Sequence, residues 1–209
     1  MFVFTTRVWL TFLVNAAYRA GLNPLSKRRV HRLVFLSNCL APLFQATPNT
    51  AQIVKYKHGP FYPLIQWEID RLATMGVLTI QNIKYTHDEH GWWVNADYGG
   101  GLMMESVISH SCRSAYGQRL DEYLTEVVAG FASLRGAALD EVALHDENYD
   151  RPGTTDDSFI DFSDQERNFS VQTAVAFRTV LPAELVPTQK EELFLYMRFL
   201  EALVTKKAV

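Results

Sequence analysis

Apolar residues recur every three or four positions over several stretches of the chain, which is the spacing that gives a helix one buried face. Residues that start or stop helices bound these stretches. Gly21 follows the first, Ser26 precedes the second and Pro63 opens the third, while Thr188 and Glu191 form a capping-box pattern before the last. The pattern predicts main helices at residues 7–20, 27–41, 63–75, 115–134 and 188–204, and weaker ones at 137–148 and 163–179.

The stretch from Lys55 to Ile80 carries the clearest local signals. Residues 53–57 favour a short strand, and Gly59-Pro60 predicts a turn because glycine admits positive φ and proline fixes φ. The helix that follows should end at Gly76, and β-branched residues then favour another strand. Its predicted buried face consists of Ile65, Ile69, Leu72 and Met75.

Two further apolar runs, at 80–85 and 92–98, predict a β-hairpin around a polar turn at 87–91. A helix, a glycine stop and a hairpin in this order are typical of a winged helix-turn-helix. We therefore predict an α+β, mainly α fold, with a winged-helix domain at residues 1–98 and a helical C-terminal region at 102–209 packed on it. Gly99, Gly100 and Gly101 predict a flexible junction between them. Residues 102–110 show no clear pattern, and 158–162 indicate a short strand.

Composition is that of an ordinary globular protein, with 209 residues of which 48% are hydrophobic and 21% charged. The two cysteines lie far apart without a CxxC pattern, which favours a reducing, cytoplasmic compartment. The apolar start of the chain is patterned as an amphipathic helix rather than as a signal peptide. No stretch is long and charge-free enough to predict a membrane span.

The net charge of −3 conceals a strong asymmetry between the two parts of the chain. Residues 1–84 carry a formal charge of +8, and residues 85–209 carry −11. A basic surface can meet phosphates or an acidic partner, whereas an acidic one repels DNA. We expect the front half to face DNA or an acidic protein, and the back half to face solvent or protein.

A cluster of basic residues on the second helix, with two lysines before the third, forms the candidate DNA contact. Contacts to the phosphate backbone supply most non-specific affinity, and the second helix of this fold class often crosses that backbone. The alternative is a solvated helix face. The candidate DNA-binding residues are Lys27, Arg28, Arg29, Arg32, Lys55 and Lys57.

The third helix is the candidate reading element, but its outward positions suit DNA poorly. They are predicted to be Gln66, Glu68, Asp70, Arg71 and Thr74, and the two acids would repel phosphates. Such a helix favours docking to protein. Tryptophan is enriched at protein interfaces, although a core position is the alternative for Trp67. The candidate partner-binding residues are Trp67, Arg71 and Phe199, the last of which widens the apolar face of the final helix.

Residue patterns for catalysis and metal binding are weak. His87, Asp88, Glu89 and His90 have suitable side chains, but consecutive residues in a tight turn cannot all aim at one ion, so we predict no metal site. Ser109, His110 and Cys112 are neighbours only in sequence. The chain carries no P-loop and no dinucleotide fingerprint. The sequence therefore favours a non-enzymatic protein without a cofactor.

Two segments carry a resemblance to a known family. At KHGPFYPLIQWEIDRLATMGVL and at ALHDENYDRPGTTDDSFIDF the chain resembles winged-helix middle components of three-component anti-phage defence systems, which are built around an SMC-like or ABC-type ATPase, the Lamassu type included. The resemblance implies a non-enzymatic adaptor that bridges this ATPase to a nuclease-like effector. Contact with double-stranded DNA through the basic front half of the chain is a secondary expectation. A winged-helix transcription regulator or antitoxin is the alternative.

Overall fold

The computed structural model describes residues 2–49, 52–56, 59–88, 91–151, 154–162, 167–182 and 184–207. The described helices are α1 (Phe2–Arg19), α2 (Lys27–Leu40), α3 (Pro63–Thr74), α4 (Met104–Ser111), α5 (Ala115–Ala132), α6 (Ala138–Glu141), α7 (Phe169–Val180) and α8 (Gln189–Lys207). The strands are β1 (Leu25–Ser26), β2 (Gln52–Tyr56), β3 (Gly59–Phe61), β4 (Leu78–Asp88), β5 (Gly91–Gly100) and β6 (Phe159–Asp161). Short 3₁₀ turns follow α2 and α6, at Ala41–Phe44 and Val142–Leu144. The fold is α+β and mainly helical, as predicted.

The first sheet contains the predicted hairpin. Its strand order is β1-β5-β4, all antiparallel, and β4 and β5 extend several residues further than the apolar pattern indicated. Asn82 adopts a left-handed conformation where the register shifts between Gln81 and Lys84, as expected of a bulge. Glu89 and His90, in the predicted turn, lie outside the described residues.

The second sheet joins distant parts of the chain. Its order is β3-β2-β6, and β6 pairs antiparallel with β2, which confirms the strand predicted near residue 160. The predicted Gly59-Pro60 turn is wrong, because both residues lie in β3 and pair with Tyr56 and Lys55. Residues 57 and 58, which precede them, lie outside the described ranges.

Helix α2 lies at the centre of the hydrophobic core. Every residue from Val30 to Leu40 is buried, and α1 packs beside it against α5. The core residues form one continuous cluster that runs from α1 to α8. The helical C-terminal region therefore shares its core with the first hundred residues, and the division of the chain near residue 100 stays a prediction.

The three consecutive glycines are ordered rather than a flexible junction, so that prediction is wrong. Gly99 and Gly100 pair in β5 with Thr79 and Leu78, and the Gly101 N–H donates to the carbonyl of Val77. The unassigned stretch after them contains α4. Glycine is required at Gly101 because a Cβ would collide with the Gly76 backbone.

Several helix predictions are confirmed and others need correction. Ser26 Oγ accepts from the Arg29 N–H, and Gly76 at φ +70° ends α3 as expected. Met75 was predicted to be buried but is 53% exposed, because it lies at the end of α3, past the core. The helix predicted at 137–148 ends at Glu141, and α7 begins only at Phe169; residues 163–166 lie outside the description. Among the described residues, no helix combines the length and apolar character that crossing a bilayer requires.

Candidate docking surface

Large aromatic side chains stand in solvent on α3 and on the β4–β5 hairpin. Trp67 on α3 is 62% exposed, and on the hairpin Tyr85 is 71% and Trp92 74% exposed. Tyr85 pairs with Val94 and His87 with Trp92, so these four side chains share one face of the hairpin. The His87 and Trp92 rings meet edge to face at 5.0 Å. We call this set (Tyr85, His87, Trp92 and Val94) the aromatic wing face, after the wing that the sequence pattern predicts here; exposed apolar patches of this kind mark interaction sites.

An ion-pair cluster holds α3 against α1. Glu68 is only 1% exposed and contacts Arg7 Nε at 2.6 Å and Arg71 Nη1 at 2.5 Å. The prediction that Glu68 faces outward is therefore wrong. Burial of its carboxylate is tolerated because two guanidinium groups pair with it, and the helical pattern alone does not reveal that α1 supplies one of them. Arg71, a candidate partner contact, is exposed but engaged in this pair.

Gln66, expected to point outward, is engaged inside the molecule. Its Nε2 donates to Asp70 Oδ1 at 2.9 Å and to Tyr98 Oη at 2.8 Å, and its Oε1 lies 3.3 Å from His31 Nε2. These contacts link α3 to β5 and α2. The amide is therefore occupied rather than free to read a base edge.

The basic cluster on α2 is partly neutralised by the acidic half of the chain. Arg29 makes a bidentate pair with Asp140 of α6 at 2.9 and 3.1 Å, and buried Arg32 reaches the same carboxylate at 3.4 Å. The hydrogen bond from Arg29 lowers the pKa of Asp140. On α1, Arg19 likewise pairs with Asp121 at 3.0 Å. Ion pairs within the protein therefore neutralise part of the positive charge of the first half of the chain with acids of the second half.

The other DNA candidates are dispersed. Lys55 Nζ donates to the carbonyl of Thr154 at 2.9 Å and lies over the Tyr149 ring. Lys57 lies outside the described residues. Arg28 is exposed and makes no close ion pair with a described residue. The structure therefore brings Lys27, Arg28, Arg29 and Arg32 together on α2 and places Lys55 elsewhere.

A cavity of about 240 Å³ opens between the first turns of α2, strands β2 and β3 and the hairpin. It combines cations with apolar walls, and none of its described lining residues is an acid. Sequence reasoning identified the cations but missed the cavity, because its walls come from four separate segments. The lining residues are Lys27, Arg28, His31, Arg32, Tyr56, Gly59, Pro60, Phe61, Thr86, Val94 and Asn95.

His31 is buried in the wall of this cavity, and its burial predicts that the stability of the fold depends on pH. Burial, opposed only by the Gln66 hydrogen bond, lowers the pKa of His31 from 6.5 to about 4. The unfolded chain protonates near pH 6.5 while the folded chain does not, so stability falls as pH drops from about 6.5 to 4. A shift of this size corresponds to about 3 kcal/mol. Urea titrations at several pH values should show this slope, and His31→Gln should flatten it.

The exposed residue His110 provides the control for that experiment, since His110→Gln should leave the slope unchanged. A His31→Gln protein that loses as much stability as the wild type between pH 6.5 and 4 would contradict the prediction.

A buried polar cluster lies in the C-terminal region. The Asp146 carboxylate accepts hydrogen bonds from Ser170 Oγ at 2.8 Å, Tyr196 Oη at 2.7 Å and the Asn148 N–H at 2.9 Å, and it lies 3.7 Å from Cys39 Sγ. All these side chains are buried, and burial raises the pKa of the Cys39 thiol, which keeps it protonated and weakly nucleophilic. The cluster therefore ties α2, α7 and α8 together. These residues lie far apart in the sequence, so no local pattern predicts that they contact one another.

Phe199 lies inside the C-terminal region rather than on an open face. Its ring contacts Phe177 at 6.0 Å and Tyr196 at 6.2 Å, and it is half-buried. Trp67 is therefore the most accessible of the three candidate partner residues. In the part of the chain that the structure describes, no three His, Cys, Asp or Glu side chains are grouped to hold a metal ion.

Comparison of the whole chain with models of protein families, with curated proteins and with solved structures finds no match in any of the three.

Proposed function

We propose that residues 2–100 form a winged-helix domain. Its supporting features are the element order α1-β1-α2-α3-β4-β5 and the sheet order β1-β5-β4, with the small β2–β3 hairpin inserted between α2 and α3. In this arrangement α3 is the element that a DNA reader would place in the major groove, and the β4–β5 hairpin is the wing.

The domain is a protein-docking module, and the chain is a non-enzymatic adaptor subunit of a cytoplasmic multi-protein complex. The observation that carries this proposal is the exposure of three aromatic rings, Trp67, Tyr85 and Trp92, on the elements that a DNA reader uses. Base-edge recognition needs Arg, Asn or Gln in the groove, whereas large aromatics anchor protein interfaces. Gln66 and Arg71 on α3 are already engaged with neighbouring side chains.

The partner to test first follows from the family resemblance. An SMC-like or ABC-type ATPase would dock on the aromatic wing face and Trp67, and a nuclease-like effector would be the second partner. With these two partners, the adaptor would act in anti-phage DNA surveillance.

Direct contact with DNA is the second candidate function, as for a winged-helix regulator or antitoxin. It is favoured by Lys27 and Arg28, which lie in the first turn of α2 and form no ion pair with an acid among the described residues. Salt-dependent binding of duplex DNA that disappears in Arg28→Glu would support it.

Replacing both exposed wing aromatics with alanine, Tyr85→Ala with Trp92→Ala, should abolish partner recovery. Truncation of a central aromatic anchor costs about 2 kcal/mol or more, which corresponds to roughly 30-fold in affinity. The measurement is co-purification of the tagged protein from its native host, with partners quantified by mass spectrometry. Because both side chains are exposed, the circular dichroism spectrum and melting temperature should change little.

Tyr18→Ala on α1 is the matched control, since Tyr18 is exposed to a similar degree but belongs to α1 rather than to the hairpin. It should leave partner recovery intact. Equal recovery with the double variant, the control and the wild type would rule out docking through the aromatic wing face.

A further inference from the structure

We propose that the 240 Å³ cavity beside the wing is an anchor pocket for an acidic peptide segment of the partner, which inserts one aromatic or branched apolar side chain and places flanking carboxylates on Lys27 and Arg28. This inference rests on the proposed docking function and specifies the chemistry of the docked segment.

The positive charge of the cavity favours binding of an anion. Lys27, Arg28 and Arg32 line it together, and Asp140 is the carboxylate in contact with this group, 3.4 Å from Arg32. Lys27 is half-buried, with Nζ 3.4 Å from the carbonyl of Val94 and 5.6 Å from the Phe61 ring centre. Asp70 acts on Lys27 electrostatically, but no acid among the described residues forms an ion pair with its ammonium group, so an anion brought by a ligand would stabilise it.

Arg32 provides an independent sign that the pocket wall is incompletely satisfied. The residue is 6% exposed, yet its Nε has no hydrogen-bond partner among the described residues. Buried polar atoms are nearly always hydrogen-bonded, so an unsatisfied one requires a physical explanation, and a bound polar ligand is one such explanation. The Nε lies beside Gly59, another lining residue, where a Cβ would come within 3.7 Å.

The walls of the pocket call for an apolar group next to that anion. Phe61, Pro60, Tyr56 and Val94 line it, and the His31 ring lies tilted by 43° against Phe61 with the ring centroids 4.8 Å apart. An apolar cavity of about 150 Å³ is large enough for benzene, so 240 Å³ accommodates one ring-sized side chain with a polar neighbour.

The position of the cavity favours a peptide over DNA. Val94 belongs both to the cavity and to the aromatic wing face, so a segment anchored in the pocket can continue over Trp92 and Tyr85. The DNA backbone offers phosphates on a convex surface and no apolar group to fill a recess.

Binding of three labelled dodecapeptides to the full chain, followed by fluorescence anisotropy, tests the pocket. The first has one phenylalanine between two pairs of glutamates in a serine background; the second has alanine in place of phenylalanine; the third has lysines in place of glutamates. The first should bind at least about tenfold more tightly than the others, and its affinity should fall with added salt. Lys27→Glu with Arg28→Glu should weaken it at least about tenfold, whereas Arg113→Glu, at an exposed arginine outside the cavity, should not.

Equal binding of the three peptides, or binding unaffected by the double charge reversal, would overturn the inference. So would a short DNA duplex that binds through Lys27 and Arg28 while the acidic peptide does not, which would assign these cations to DNA. The two proposals remain separable. Loss of partner recovery with the wing aromatics replaced, but not with Lys27 and Arg28 reversed, would retain the docking function and reject the pocket.

Discussion

Replacing Asp146 with alanine should lower the free energy of unfolding by about 3–5 kcal/mol, because it breaks a buried hydrogen-bond network. The substitution removes the acceptor of three hydrogen bonds and leaves Tyr196 Oη, Ser170 Oγ and the Asn148 N–H buried without it. Each orphaned buried donor costs about 1–3 kcal/mol. Because the cluster joins α2, α7 and α8, urea denaturation should show a large shift of the midpoint.

Asp150→Ala is the matched control, since this nearby carboxylate is half exposed and pairs with Lys207 on the surface. A surface ion pair contributes less than about 1 kcal/mol, so the midpoint should hardly move. If Asp146→Ala destabilised the protein no more than Asp150→Ala, the buried hydrogen bonds of Asp146 would not stabilise the packing of α2, α7 and α8.

Replacing Gly101 with alanine should destabilise the fold by about 2–3 kcal/mol or more, at the upper end of overpacking costs. The new Cβ would overlap the carbonyl oxygen of Gly76 and lie 2.9 Å from its carbonyl carbon and 3.0 Å from that of Val77. These are backbone atoms, so they cannot rotate away. Because the Gly101 N–H also bonds to Val77, relief of the overlap would disturb the end of α3 and the start of β4.

The preceding residue offers a close control. A Cβ at Gly100 would meet the end of the flexible Met104 side chain at 3.1 Å, so Gly100→Ala should cost less than about 1 kcal/mol. Thermal melts of the two variants compare the sites directly. Equal melting temperatures for both would show that the approach to Gly76 is not tight.

Local signals in the sequence were sufficient where a single segment decides the structure. The capping residues Ser26 and Thr188, the glycine stop at Gly76 and the apolar stripe of α8 all act within a few neighbouring positions. Their physics is local, so helix positions and the hairpin followed from them. Gly101 shows the limit of such signals. Three consecutive glycines predict a flexible segment, because the sequence does not show that Gly101 packs against the Gly76 backbone.

The candidate surface depended on contacts between distant residues. Trp67 and Glu68 are neighbours in sequence, yet one is exposed and the other buried, because Arg7 from α1 pairs with Glu68. The basic cluster was visible in the sequence, but its partial neutralisation by Asp140 was not. Likewise, the cavity is lined by residues from α2, β3 and the β4–β5 hairpin. The spacing of apolar residues along the sequence does not predict that these segments meet.

The sequence by itself determined the main helical segments, the β-hairpin and the separation of charge between the two parts of the chain, because propensity, periodicity and formal charge depend on residue type and order. Only the tertiary structure decided which cations are paired, which aromatic side chains remain in solvent and which residues line the cavity. Those properties depend on the distance between groups far apart in the chain, which burial and electrostatics set only once the core has formed.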